Sequence, residues 1–242
     1  MNNVPAAGCR RAVGQHSPPD AAPLDLTVII PALNAARSLP ATLAGLGGVP
    51  DIVVVDGGSG DDTAEIAARH GARVIAAPRG RGAQLAAGVA ATQHAWLLLV
   101  HADTRFGGDW EAAVRNHIAA FPDRAGYCRF ALDCSDPRAR RLERLVAWRC
   151  RVFALPYGDQ GLLIRDDLLQ QVGGIRPLPL MEDVDLVRRL GRGRLRALDA
   201  AAVTSAERWL RDGWRRRSAR NLVCLSLWFA GVPARHIARL YR

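Results

Sequence analysis

Trp96-Leu97-Leu98-Leu99-Val100-His101-Ala102-Asp103-Thr104 is the stretch around which the chain is organised. Five apolar residues end abruptly in a histidine, a small residue and a carboxylate. So short an apolar run, flanked by segments of helical pattern, predicts a buried central strand over 96–101 in a parallel sheet. Open α/β sheets gather their chemistry at the carboxyl ends of such strands. A carboxylate is costly to bury unless it is used, so Asp103 is expected to hold a divalent metal against the phosphates of a nucleotide.

Working outward, Leu26-Thr27-Val28-Ile29-Ile30-Pro31 reads as a first strand and Asp51–Asp56 as a second. A helix after Ser38, with Leu39, Leu43 and Leu46 on one face, lies between them. Gly57-Gly58-Ser59-Gly60 is a tight turn suited to positive φ, and Asp61-Asp62-Thr63 opens a helix that runs to His70. Arg73–Ala76 is a third strand and Ala83–Ala91 a third helix. This alternation predicts right-handed βαβ units and a mostly parallel α/β sheet flanked by helices. Further along, Trp110–Ala120, Arg138–Phe153 and Glu182–Leu190 read as helices, and Tyr127–Leu132 and Leu162–Ile164 as strands.

Residues 1–24, with four prolines and no apolar period, read as a flexible tail, 25–206 as the main α/β domain, and 207–242 as a helical appendage packed on it. Within the appendage an arginine-rich segment, Arg208–Arg220, precedes an apolar block, Leu222–Ala230. The block either docks on a bilayer surface or packs on the core, and core packing is favoured. No run approaches the roughly 20 apolar residues needed to span a membrane. Five cysteines, odd in number and never spaced C-x-x-C, suggest neither a disulfide framework nor a zinc site. A cytoplasmic chain, at most peripheral on the inner face of the membrane, is expected. Of 242 residues 33 are basic and 23 acidic; every basic residue is arginine, and the net charge of +10 favours anionic partners.

Asp56 and Asp103 gather at matching strand ends beside a glycine turn. Each alone suits a turn or helix cap; together they suit a nucleotide site, with Asp56 accepting from base or ribose. Pro78-Arg79-Gly80-Arg81-Gly82 places an arginine in a glycine loop before a helix, which favours phosphate. Glu182, Asp183 and Asp185 stand at a helix start, where both dipole capping and a general base are accommodated. Tyr157-Gly158-Asp159-Gln160-Gly161 reads as a turn. His101 reads as a neutral hydrogen-bonding residue rather than a metal ligand, for no second histidine stands at ligand spacing.

Val28-Ile29-Ile30-Pro31-Ala32-Leu33-Asn34, Val54-Val55-Asp56-Gly57-Gly58-Ser59-Gly60-Asp61-Asp62-Thr63, His101-Ala102-Asp103 and Glu182-Asp183 together resemble the family 2 glycosyltransferases. The likeness runs from about Asp25 to the chain's end. The Gly158-Asp159-Gln160 turn, Pro179–Asp183 and Thr204–Trp209 resemble the small bacterial arsenosugar-biosynthesis-type subgroup. The resemblance implies a GT-A fold and inverting, metal-assisted transfer of a sugar from a nucleotide-diphosphate donor to an acceptor hydroxyl. It implies that Pro31, Asn34, Asp56, Gly58, Arg81, Ala102 and Asp103 bind the donor, and that Asp103 binds Mg2+ or Mn2+. Asp183 would be the base, and Asp159, Gln160 and Glu182 would face sugar or acceptor. Three positions depart from the family: Ala35 replaces an acid, His101 replaces the first acid of D-x-D, and no Q-x-x-R-W is present. Two other classes compete with this one. A sugar-1-phosphate nucleotidyltransferase would need a G-x-G-T/S-R-type loop and usually a lysine. A non-enzymatic, basic membrane-peripheral or anion-binding module leaves the strand-end acids unexplained; no nucleic-acid partner is expected.

Overall fold

A computed structural model describes residues 24–157 and 159–241; the tail assigned to 1–24 lies outside them except for Leu24. The elements run β1 (Leu26–Ala32), α1 (Leu39–Ala44), β2 (Asp51–Asp56), α2 (Thr63–Arg69), β3 (Arg73–Ala76), α3 (Arg81–Ala90), β4 (Trp96–Leu99) and β5 (Thr104–Gly107). They continue with α4 (Trp110–Ala120), β6 (Ala125–Leu132), α5 (Pro137–Phe153), β7 (Leu162–Arg165), α6 (Asp166–Gln171) and α7 (Glu182–Leu190). β8 (Leu195–Thr204), α8 (Glu207–Asp212), α9 (Trp214–Phe229) and α10 (Ala234–Tyr241) complete the chain.

The strands form one eight-stranded sheet in the order β3-β2-β1-β4-β7-β6-β8-β5. β1, β2, β3 and β4 are mutually parallel, as the βαβ alternation requires. β4 is central, yet only half of its expected parallel setting holds: it runs parallel to β1 and antiparallel to β7. β7 is antiparallel to β6 as well, so the second half is not a simple repeat of parallel crossovers. β6 and β8 pair in parallel, and β5 closes the far edge antiparallel to β8.

The strand end points shift in ways that matter for the site. β1 runs one residue beyond Pro31, and Ala32 stands opposite Asp56. β4 ends at Leu99, so Asp103 lies in the turn before β5 rather than at a strand terminus. Arg81 is the first residue of α3 rather than part of the preceding loop. Ser38 precedes α1 without capping it; its hydroxyl faces the Ala35 carbonyl at 3.4 Å.

Apolar side chains fill both sheet faces, with Leu26, Ile30, Leu39 and Leu98 on one side and Ile29, Leu97, Ile164 and Leu169 on the other, all fully buried. Gly88 lets α3 approach the sheet: a Cβ there would collide with the side chain of Ile29. Gln84, also on α3 and buried, donates from its amide to the carbonyls of Ala32 and Val55, each at 2.7 Å. These bonds fasten α3 to the edge where β1 and β2 end. At the other end of the chain, Cys224 and Ile237 of α9 and α10 are buried against Leu180, Met181 and Val184, whereas Leu222, Val223 and Phe229 remain exposed.

Candidate active site

The loop after β1 and the turn after β2 are zipped together. Asn34 holds a left-handed φ of 51°, a conformation asparagine tolerates, and its side-chain oxygen accepts from Gly60 N at 2.9 Å. Its own N–H donates to Ser59 Oγ, and Ala35 and Ala36 donate to Thr63 Oγ1 and Asp61 Oδ2. Asp56 accepts from the N–H groups of Gly58 and Ser59, each at 3.1 Å, and from the Ser59 hydroxyl. Gly58 supplies the positive φ, 86°, that this turn requires. The structure therefore spends Asn34 and Asp56 on shaping the rim. Ala102 turns its methyl toward the core and its carbonyl accepts from Thr42 Oγ1 at 3.0 Å.

Asp103 and Asp159, 56 positions apart in sequence, are brought together with His101. One ligand-capable atom from each of the three lies within 4.8 Å of the others. His101 Nδ1 stands 2.6 Å from Asp159 Oδ1, and Arg81 Nη1 stands 3.3 Å from His101 Nε2. A guanidinium only donates, so in the neutral form of His101 Nε2 is the acceptor and the imidazole proton sits on Nδ1, toward Asp159. The sequence reading of His101 as a hydrogen-bonding residue holds for this state. Its reason for excluding a ligand role does not, because the partners are carboxylates and one of them comes from a distant turn.

Burial and the Arg81 charge pull the His101 pKa down, and the Asp159 carboxylate more than offsets both. Burial likewise opposes ionisation of Asp159, but His101, Arg81 and Arg208 hold its carboxyl at about 2. Asp103 is raised, first by burial and then by the Asp159 charge, against the pull of His101 and Arg208. Two neighbouring carboxylates with an imidazole form a donor set that a divalent cation satisfies: it screens the acid–acid repulsion and replaces the imidazole proton. The residues fit a metal.

Arg81 joins this cluster to the start of α7. Its Nε contacts Glu182 Oε1 at 2.8 Å and its Nη2 lies 3.8 Å from Asp183 Oδ2. The turn into α7 is set by Met181, which adopts φ 66°, an unfavourable conformation for a long side chain that here directs the following acids inward. Glu182 is 2% exposed, and its Oε2 has no hydrogen-bond partner among the described residues. Burial raises its pKa against the lowering influence of Arg81. Asp183 is half-buried, with Oδ1 accepting from Val184 N. Asp185, third of the acids at this helix start, turns away to bridge Arg176 and Arg189.

One expectation is redirected. Gln160 does not face the His101–Asp103–Asp159 cluster; it is buried in the wall between β6 and α5, its amide donating to Cys128 O at 3.0 Å and accepting from Arg149. The spacing from Asp159 to Gln160 puts adjacent side chains on opposite sides of the turn, which the turn motif could not reveal. Arg208 was overlooked: α8 places its Nη2 3.5 Å from Asp103 Oδ2. The arginine run of 208–220 concealed it, since nothing in sequence distinguishes it from solvated neighbours. Gln84, Thr63 and Gly82 were also missed as supports of the site. A Cβ on Gly82 would stand 2.5–2.6 Å from backbone atoms of Arg176 and Leu178, so this glycine allows the chain leading to α7 to lie directly on the first turn of α3.

Comparison with known proteins identifies the class. Residues 27–166, more than half of the chain, match the profile described as Glycosyl transferase family 2, and the chain belongs to that family. It is 46% identical over 79 residues to uncharacterized glycosyltransferases of Mycobacterium bovis and Mycobacterium tuberculosis. That match spans 32% of this chain and 36% of the relatives. Among solved structures, glucosyl-3-phosphoglycerate synthase from M. tuberculosis, in complex with Mn2+, uridine diphosphate and glucosyl-3-phosphoglycerate, is similar with a TM-score of 0.53 at 18% identity, over 74% of this chain and 70% of that one. TarS 1–349 of S. aureus, in complex with UDP-GlcNAc, gives 0.60 at 16% identity, over 75% and 58%. The fold is that of the GT-A glycosyltransferases. Glu182, Asp183 and Arg208 lie beyond the stretch matched by the family profile.

Proposed function

We propose that the chain transfers a sugar from a nucleoside-diphosphate donor to an acceptor hydroxyl with inversion at the anomeric carbon. The observation that carries this reading is Arg81, which ties the His101–Asp103–Asp159 cluster to Glu182 and Asp183. A site for a diphosphate leaving group and a site for an acceptor base thereby face one another. The donor's nucleoside is assigned to the rim formed by Pro31, Asn34, Asp56 and Gly58. Asp103, Asp159 and His101 would hold a divalent ion, which supplies Lewis-acid stabilisation of the departing diphosphate. One imidazole nitrogen among the three donors favours Mn2+ over the strictly oxygen-seeking Mg2+.

Asp183 takes the proton of the acceptor hydroxyl as that oxygen forms its bond to the anomeric carbon. The bond between this carbon and the diphosphate oxygen breaks, and the electron pair leaves with the diphosphate. Arg81 and Arg208 face the charge that develops there, and fixed guanidiniums stabilise it without reorganising. Glu182 keeps Arg81 in place. A direct displacement of this kind uses one carboxylate base and inverts the centre.

Asp183→Asn tests the assignment. The variant keeps the donor-induced thermal shift in a screen of UDP-, GDP- and dTDP-sugars with Mn2+, and loses transfer by about 10²–10⁴. Undiminished transfer would reduce Asp183 to a helix-start residue, and the absence of a shift with every donor would defeat the reading itself. The donor base, the sugar and the acceptor are left to that screen.

A further inference from the structure

α5 carries an apolar face that the fold leaves uncovered. Its buried side holds Ala139, Leu142, Val146 and Cys150, which pack toward Phe130, Leu132, Trp209 and the Gln160 wall. On the opposite side Leu145 is 62% exposed, Trp148 53%, Val152 42% and Phe153 55%. Arg141, Leu145, Trp148 and Val152 follow the i, i+4, i+7, i+11 spacing of a single helical stripe. Trp148 and Phe153 meet edge to face at 5.3 Å between centroids, making one aromatic patch of the two.

The charges around this stripe have one sign. Arg141, Arg144 and Arg151 are exposed along it. The only acid within α5, Glu143, points inward, accepting from Leu132 N with Oε1 and from Arg140 with Oε2. We propose that this face of α5 docks on an anionic lipid bilayer, with Leu145, Trp148, Val152 and Phe153 entering the headgroup–acyl boundary and the arginines pairing with lipid phosphates. A helix with aromatic and aliphatic residues on one stripe and arginines beside it has the composition such interfacial helices need. The arrangement fits competing occupants less well. A second copy related by a two-fold axis would set this arginine-flanked stripe against itself. A nucleic acid would leave four large apolar side chains facing phosphates.

The face is joined to the site by short links. Six positions separate Phe153 from Asp159. Arg149, on the last turns of α5, donates to Leu155 O at 2.9 Å and to Gln160 Oε1 at 3.0 Å, and stacks over Tyr157 at 3.7 Å. A docked α5 therefore anchors the turn that carries Asp159. The docking surface differs from the Leu222–Ala230 block, for which the sequence pattern favoured core packing over a bilayer contact.

The test is flotation of the full chain with phosphatidylcholine vesicles and with vesicles that also contain phosphatidylglycerol. The chain floats with the anionic vesicles and stays behind with the neutral ones. Trp148→Ser/Val152→Ser lowers the partition coefficient by about tenfold or more. Arg141→Gln/Arg144→Gln lowers it roughly fivefold per arginine lost, the effect expected for a cation at an anionic surface. Leu222→Ser/Val223→Ser on α9 leaves it unchanged. All the substituted side chains are exposed, so thermal midpoints stay at that of the parent chain. No flotation, flotation that ignores the α5 changes, or loss produced by the α9 pair would overturn the proposal. So would a dimer in sedimentation velocity that Trp148→Ser/Val152→Ser dissolves.

Discussion

Replacing Arg81 by leucine isolates the electrostatic role of the residue at the centre of the site. Glu182 is 2% exposed and its ionised form rests on the Arg81 Nε contact at 2.8 Å. Removing one partner of a buried pair costs about 3–5 kcal/mol, and because the Arg81 side chain is 34% exposed, water softens the loss to about 2–3 kcal/mol. In a chain of this size that lowers the unfolding midpoint by roughly 5–10 °C. The loss depends on pH with a definite sign. The Glu182 pKa is already raised by burial in the parent chain, with Arg81 acting against the rise. Without Arg81 it rises further, and the folded state then binds a proton that the unfolded state gives up above its ordinary 4.5. The penalty is therefore smallest at acid pH, where the carboxyl carries its proton in the folded and the unfolded chain alike. It grows as pH increases toward 8. Differential scanning fluorimetry of parent and Arg81→Leu chains across this range measures it, with Arg81→Leu/Glu182→Gln as the closing member of a double-mutant cycle. The double variant recovers most of the midpoint at pH 8. A midpoint difference independent of pH, or a double variant no better than the single one, would refute the view that a buried Glu182 charge is what Arg81 compensates.

Gly82→Ala forces a methyl against the Arg176 and Leu178 backbone and lowers stability by about 1–3 kcal/mol, visible in urea unfolding, with donor binding weakened as Arg81 shifts. Gln84→Leu leaves two strand-end carbonyls without this donor and costs about 1–3 kcal/mol, seen as faster amide exchange at the β1 and β2 ends. His101→Asp sets a third carboxylate beside Asp103 and Asp159, lowering the midpoint of the metal-free chain and enlarging its Mn2+-induced thermal shift; unchanged values of both would remove His101 from the cluster. Asp159→Asn weakens Mn2+ binding in calorimetry, and unaltered affinity would leave Asp103 without the partner assigned to it here.

The half of the fold built from local alternation was legible. β2, β3, α4 and α7 fall on the residues expected, because each combines a strong period with a glycine or acid at its boundary. β8 was not legible. Its core, Ala197-Leu198-Asp199-Ala200-Ala201-Ala202, favours a helix by intrinsic propensity, and it is a strand because β6 and β5 pair with it on both sides. The antiparallel setting of β7 was equally hidden, since strand direction depends on where the intervening helix returns the chain. In the site, the motif residues near one another in sequence were readable as a group. Arg208 and Gln84 were not, and Asp159 was expected toward sugar or acceptor rather than beside Asp103, because these placements come from long-range closure and each residue stands in a locally unremarkable turn or helix.

His101, which breaks the family's D-x-D pattern, is the position where sequence and structure together say more than either alone. A second carboxylate at 101 would have placed three acids around one point, with Arg81 committed to Glu182 and Asp183. The histidine instead donates to Asp159 and accepts from Arg81, so the cluster holds together in the absence of a cation. The carboxylate lost at 101 is regained from the turn after α5, at Asp159, whose carboxyl is held at about 2 and is therefore ionised at any working pH. The number of acids in the cluster is thereby kept at two while the imidazole supplies a neutral donor. For that reason the departure does not argue against metal-assisted transfer. On the proposed reading it would relocate one metal-binding group from the motif to a distant turn and shift the preference from Mg2+ toward Mn2+.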